Sequence, residues 1–162
     1  LPVKPLTIYI KMSGEEIIDF TTLEPEIQVL VKKSTTAREY SYSPYSKFKV
    51  GAAILCTDGT TFTGCNVENA SYPVGTCAER TAIVKAVSEG KRKFKALAVV
   101  ADKEQNTFAT PCGFCRQAIV EFGDIQIYLV GPDMKNVLKT SISKLLPRAF
   151  ENLTYRYAPD YY

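Results

Sequence analysis

Three cysteines and one glutamate fall within two short segments, Thr76-Cys77-Ala78-Glu79-Arg80 and Pro111-Cys112-Gly113-Phe114-Cys115. Three thiolates form a donor set for one divalent metal, and zinc commonly takes sulfur ligands in a four-coordinate shell. A structural zinc site fills all four positions with protein ligands, whereas a catalytic one uses three and leaves the fourth to water. The chain contains no histidine, so no imidazole completes the shell. Glu79, two residues after the first cysteine, supplies a carboxylate that could move protons beside an activated water.

Such a cluster works only if elements distant in sequence deliver it to one point. Cys77 to Glu89 reads as a helix, with Ala78, Ala82, Ile83, Ala86 and Val87 on one face and Gly90 as its stop. Pro111 to Phe122 reads as a second helix, with proline at its first position and Gly123 beyond its end. Both segments place cysteine at a helix start, where unpaired backbone N–H groups and the positive end of the dipole favour thiolate over thiol. The i, i+3 spacing of Cys112 and Cys115 brings both sulfurs to one side of the first turn. Three thiolates on a divalent ion leave a net negative charge. Arg80 and Arg116, each directly after a motif residue, could offset it by hydrogen bonding to sulfur.

The remaining elements follow from periodicity. Residues 23–43 carry Ile27, Leu30, Val31 and Ala37 at helical spacing, with Pro25 in the first turn and Ser43-Pro44 as the break. Lys49–Cys56 and Thr61–Val67 read as strands, and the Asp58-Gly59 between them favours a tight hairpin turn. Ala96–Ala101 and Ile125–Val130 are nearly all apolar and suit strands covered on both faces. Residues 141–146 suggest a short last helix ending at Pro147. A hairpin feeding two strand–helix–strand units predicts an α/β fold, a three-layer helix–sheet–helix arrangement with a mixed central sheet. The expected organisation is one domain over residues 22–152. An N-terminal tail over 1–21, with Met12 as a candidate natural start, and a tyrosine-rich C-terminal tail over 153–162 flank it.

The 162 residues include 20 basic and 17 acidic ones, for a net charge of +3. That balance gives no argument for a nucleic-acid or membrane partner, and no apolar run reaches the length of a membrane span. An odd count of five cysteines with one C-x-x-C pair suits a reducing compartment and metal or catalytic use rather than disulfides. Cys56 and Cys65 read as buried inert thiols. Plainer readings stand beside these. Cys112 and Cys115 could be a redox pair, although Cys77 would then have no role. The metal could be purely structural. Thr76-x-x-Glu79 fits a capping box, which would make Glu79 a helix cap. Asn66 could serve a turn, and any single aromatic could be packing.

Four separated blocks carry a family resemblance. They are Tyr42-Ser43-Pro44-Tyr45-Ser46-Lys47-Phe48-Lys49-Val50-Gly51-Ala52-Ala53, the run from Gly64 to Pro73, Cys77-Ala78-Glu79 with Pro111-Cys112-x-x-Cys115, and Leu145-Leu146-Pro147 followed by Phe150. Together they resemble the cytidine deaminases, and most of all the small homotetrameric, three-cysteine zinc nucleoside deaminases. The resemblance implies one zinc per chain on Cys77, Cys112 and Cys115, with Glu79 carrying protons between water, ring N3 and the leaving amine. It further implies base recognition by the backbone N–H groups of Ala78 and Cys112 and a carbonyl near Thr110. Asn66 and Glu68 would hold the sugar, and Phe48 would stack near the base. Phe150 would come from a neighbouring subunit, and Tyr72 would lie at a subunit contact or the site rim. The implied activity is hydrolysis of cytidine and 2′-deoxycytidine to the uridines plus ammonia, in pyrimidine salvage. The expected setting is a cytoplasmic homotetramer with sites at subunit interfaces and no nucleic-acid or membrane partner. Two rivals remain at this point: a zinc deaminase of another cytosine-containing substrate (polynucleotide, nucleotide or antibiotic), and a non-enzymatic zinc module.

Overall fold

The computed structural model describes residues 15–102 and 107–151. Its first long element is a helix, α1 (Pro25–Arg38), with Pro25 in the first turn as expected. The hairpin follows as β2 (Val50–Cys56) and β3 (Thr61–Cys65), the label β1 being kept for an earlier strand, Glu16–Asp19. From β3 the chain crosses through α2 (Ala78–Ser88) to β4 (Phe94–Ala101), which pairs antiparallel with β2. It then passes through α3 (Gly113–Val120) to β5 (Gln126–Val130), parallel to β4. An antiparallel strand β6 (Asn136–Ser141) and a short helix α4 (Ile142–Leu145) complete the unit. The sheet order is β1-β6-β5-β4-β2-β3. The β4–β5 pair is parallel and the other pairs are antiparallel, so the sheet is mixed.

Strand alternation divides the core into two layers. Ala52, Ile54, Leu97, Val99, Ile127 and Leu129 pack with Ala82, Ala86, Ile119 and Ile142 of α2, α3 and α4. The alternate residues Ala53, Leu55, Ala96, Ala98, Val100 and Val130 pack with Ile27, Leu30 and Val31 of α1. The predicted helix–sheet–helix layering is therefore present.

Helix α2, which starts at Cys77 and carries Glu79 in its first turn, is seated by a close approach. A Cβ at Gly64 in β3 would lie 2.5 Å from both Ala78 O and Ala82 N, backbone atoms of α2 that cannot give way without moving the helix. Gly64→Ala is therefore expected to cost about 2–4 kcal/mol, read as a fall in the midpoint of denaturant unfolding. Midpoints equal to wild type would show that α2 can shift on the sheet.

Four sequence expectations are corrected. Strand β6 was not foreseen. Neither was β1, because Glu16–Asp19 pairs as an edge strand with β6 although the sequence placed it with the N-terminal tail. Helix α1 ends at Arg38, well before Ser43-Pro44. Helix α3 begins at Gly113 with Cys112 as its cap, so Pro111 lies outside it rather than at its first position. Residues 1–14 and 152–162, which include Met12 and the tyrosine-rich end, lie outside the described residues.

Candidate active site

Cys77 and Cys112 are the N-cap residues of α2 and α3, both in extended backbone with ψ of 156° and 168° and neither spending its side chain on the helix. A conventional cap gives its side chain to a first-turn N–H. Here the sulfurs remain free and are carried to the positive ends of two helices. Cys115 is in the first turn of α3 and fully buried. The three sulfurs lie within 4.8 Å of one another, with 3.8 Å between Cys77 Sγ and Cys112 Sγ. A tetrahedral zinc with Zn–S bonds of about 2.3 Å separates its sulfurs by about 3.8 Å, so the spacing fits. It is far too long for a disulfide, and all five cysteines are free.

The electrostatics point the same way. The Cys115 thiol donates to Cys77 and, with help from Arg80 and Cys112, draws the Cys77 pKa down to about 5 against the cost of burial. Cys115 is pushed up correspondingly, because its S–H is held in a hydrogen bond to Cys77 and it is itself buried. Sulfurs this close share one negative charge unless a cation joins them. That chemistry suits zinc, and three sulfurs at this spacing could hold one ion.

Glu79 sits in the first turn of α2 and is 4% exposed. Burial raises its pKa above the usual carboxylate range, and the neighbouring Cys77 charge adds to the rise. The capping-box reading does not hold. Cys77, not Thr76, is the cap, so Glu79 stands at the second helical position with no cap residue to bond back to.

The two arginines part company. Arg80 Nη2 donates to Gly75 O at 3.3 Å and reaches Cys77 Sγ at 3.9 Å. Arg116 does not touch sulfur. Its Nε donates to Pro111 O at 2.7 Å, Nη1 to Leu145 O at 2.8 Å and Nη2 to Thr110 Oγ1 at 2.9 Å. Arg116 thus straps the approach to Cys112 onto the end of α4, and it steadies the site through the backbone rather than through charge on the metal ligands.

Above Cys77 and Cys112 opens a cavity of about 730 Å³. Asn66, Val67 and Glu68 line it, as do Tyr72, Arg80 and Phe114. The Asn66–Glu68 segment is held next to Cys77 by backbone bonds: Val67 exchanges two hydrogen bonds of 2.9 Å with Thr76, and Glu68 N–H donates to Tyr42 O at 2.8 Å. Asn66 Oδ1 accepts from Val50 N–H at 2.8 Å and Ser41 Oγ at 2.5 Å, while Nδ2 donates to Phe48 O at 2.8 Å. Asn66 is thus a strut for the 41–50 loop with one amide hydrogen left over. The Glu68 carboxylate accepts from the Tyr45 N–H at 2.8 Å, the Ser46 N–H at 3.2 Å and the Ser46 hydroxyl. The serine hydroxyl chiefly holds its pKa below the usual range.

Within a single chain, Phe48, Thr110 and Phe150 are not among the cavity-lining residues. Phe48 is 40% and Phe150 83% exposed, and Phe150 O accepts from Gln117 Nε2 at 2.7 Å. Ala78 is buried beneath the site. Tyr72 lies at the rim in an edge-on contact with Tyr45, ring centroids 6.3 Å apart. The cavity also uses Tyr45, Ser46 and Phe114, which the sequence did not single out. Phe114 had one available signal, its place inside the C-x-x-C turn.

This architecture has known counterparts. Residues 25–131 match the family model for the cytidine and deoxycytidylate deaminase zinc-binding region. A cytidine deaminase of Sporosarcina psychrophila is 50% identical over 138 residues, covering 83% of this chain and 98% of that protein. One from Halalkalibacterium halodurans is 48% identical over 125 residues, covering 76% and 92%. The crystal structure of cytidine deaminase from Burkholderia pseudomallei superposes with a TM-score of 0.71 at 45% identity, covering 75% of this chain and 97% of that one. That of the Mycobacterium tuberculosis cytidine deaminase does so with a TM-score of 0.66 at 37% identity, covering 80% and 100%. With a matched zinc-binding region, this degree of identity and three sulfurs at zinc spacing, the chain belongs to the cytidine deaminase family.

Proposed function

We propose that the chain hydrolyses cytidine and 2′-deoxycytidine to the corresponding uridines and ammonia. The observation that carries this is the buried Glu79, two residues after Cys77, with a three-sulfur cluster whose Cys77 and Cys112 open on a cavity large enough for a nucleoside. Cys77, Cys112 and Cys115 would hold the zinc, which would supply a water acidic enough to act as a nucleophile near neutral pH. Glu79 would take a proton from the attacking water and give it to N3 of the pyrimidine. The same carboxyl then carries a proton to the departing amine, alternating between base and acid. The backbone N–H groups of Ala78 and Cys112 and a carbonyl near Thr110 would read the base edge. Cys112 keeps its place for this task because Arg116 straps the preceding loop.

The sugar is assigned to Asn66 and Glu68. Asn66 offers its remaining amide hydrogen. The Glu68 carboxylate, already aligned by the 45–46 backbone, accepts from the 3′-hydroxyl. An ionised carboxylate repels a 3′-phosphate, which favours a free nucleoside over a polynucleotide. Glu68→Gln is expected to raise KM for cytidine about 10–100-fold, the worth of a charge-assisted hydrogen bond. It should also narrow the KM ratio between cytidine and cytidine 3′-phosphate. Steady-state kinetics on both substrates checks this, and an unchanged ratio would move the sugar elsewhere.

The exposed Phe150 and Tyr72, with Phe48, support a homotetramer in which neighbouring subunits close each site; sedimentation at assay concentration measures it. Free cysteines throughout fit a reducing, cytoplasmic setting, and no helix among the described residues is long and apolar enough to cross a membrane. The deciding experiment is ultraviolet-monitored turnover of both nucleosides, with zinc assayed on the same sample. Turnover with about one zinc per chain supports the proposal. One zinc with no turnover on either nucleoside would sink it in favour of another amine substrate or a structural metal.

A further inference from the structure

The roles assigned above leave Phe114 without one. It is a large apolar ring in the first turn of α3, 80% exposed, at the wall of the cavity. The Arg80 guanidinium carbon lies 5.9 Å from the centre of that ring. The other hydrogen bonds of Arg80 are long, Gly75 O at 3.3 Å and Cys77 Sγ at 3.9 Å, with a weaker attraction from Cys115 beside them. Its Nε is buried and has no hydrogen-bond partner. Fixing an arginine in one rotamer costs appreciable side-chain entropy, and these contacts alone offset it poorly. An aromatic face near the guanidinium supplies the missing attraction for the cation and blocks one route for the side chain to swing into solvent.

We infer that Phe114 is a positioning residue for the reaction. Its ring holds the Arg80 guanidinium against Cys77 Sγ, and through Arg80 it sets how much electron density that sulfur gives the metal. This rests on the zinc reading given above. A sulfur hydrogen-bonded to a cation donates less to its metal, which stays the stronger acid; contacts of this kind tune bound metals through their ligands. Without the ring, Arg80 leaves, Cys77 becomes the stronger donor, and the chemical step slows. Substrate affinity, set by Asn66 and Glu68, is left in place.

The test is a double-mutant cycle with a spectroscopic arm. Phe114→Leu keeps much of the bulk and removes the π face, whereas Phe114→Trp keeps the face. Phe114→Leu should lower kcat about two- to fivefold, the scale of one exposed cation–π contact, with a smaller change in KM. Phe114→Trp should restore wild-type kcat. In an Arg80→Gln background Phe114→Leu should cost nothing further, because the residue acts through Arg80. In the cobalt-substituted protein without substrate, Arg80→Gln and Phe114→Leu should both move the sulfur-to-cobalt charge-transfer band to lower energy, and Phe114→Trp should not. An equal kcat loss in both backgrounds, a loss confined to KM, or a band that stays put in Phe114→Leu would each overturn the inference. If the wild-type protein itself fails to turn over cytidine, the deaminase reading fails, and the cobalt spectra alone still decide the role of Phe114.

Discussion

Glu79→Gln is expected to lower kcat on cytidine by about 10²–10⁴-fold while leaving zinc content at wild type. The substitution is nearly isosteric, so it opens no cavity in a position that is 4% exposed. It retains a hydrogen-bonding side chain but cannot take and return a proton, and both transfers of the proposed reaction pass through this one group. Stability should move the other way or not at all. Burial raises the Glu79 pKa, which means that the folded protein holds the charged form at a cost. A neutral amide avoids that cost, so the melting temperature should match or slightly exceed that of wild type, as is common when a residue kept for function is neutralised. Turnover, zinc content and thermal melting on the same sample check this. Activity within tenfold of wild type would reduce Glu79 to a structural residue and remove the main support for the proposed chemistry.

The inner part of the fold was legible because its signals are redundant. The hairpin has two strand-like runs and an Asp-Gly turn, and the runs that became β4 and β5 are almost wholly apolar, as strands covered on both sides must be. The edge was not legible. Glu16–Asp19 is half acidic and exposed along most of its length, and its backbone pairs with β6 whatever its side chains are. The β6 sequence, Asn136–Ser141, carries two adjacent buried apolar residues, Val137 and Leu138, one for each core layer. A pair of that kind has no period to read.

The same distinction applies to the site. The convergence of Cys77, Cys112 and Cys115 was legible because two helices were recognisable from apolar spacing and their glycine stops, although Pro111 set the start of α3 two residues early, and the family resemblance supplied the rest. The fate of Arg116 was hidden. Adjacency to Cys115 says nothing about direction, and the partners that captured its guanidinium include Leu145 O, on an element far along the chain. The capping box for Glu79 failed by a single position, since a cysteine displaced threonine as the cap. Asn66 and Glu68 came from the resemblance alone, and most of their partners in the 41–50 loop are backbone groups that every sequence has, joined by the Ser41 and Ser46 hydroxyls. Phe114 looked like an arbitrary residue between ligands, because its contact with Arg80 exists only when α2 and α3 start side by side.

Removing a sulfur ligand should separate the metal's contribution to stability from that of packing. Cys112→Ala and Cys115→Ala are both expected to abolish zinc retention and measurable turnover, because two remaining sulfurs cannot hold a tetrahedral ion at the affinity of three. Their effects on stability should differ. Cys112 is exposed and serves as a cap without a side-chain cap bond, so its loss removes the metal term alone. A ligand present at about 1,000 times its dissociation constant stabilises by about 4 kcal/mol, and that is the expected drop from the zinc-loaded wild type. Cys115 is fully buried and packs in the same core as Ile119 and Ile127. Its truncation should add about 1 kcal/mol for lost packing. Denaturant unfolding of wild type, Cys112→Ala and Cys115→Ala, each with zinc and with a chelator, gives both terms. Chelated wild type should fall to the level of Cys112→Ala, with Cys115→Ala below both. If the chelator leaves wild type unchanged while zinc is demonstrably removed, the metal contributes nothing to the fold. The convergence of α2 and α3 is then the work of the apolar core alone, and the three sulfurs would be preorganised by packing before any ion arrives.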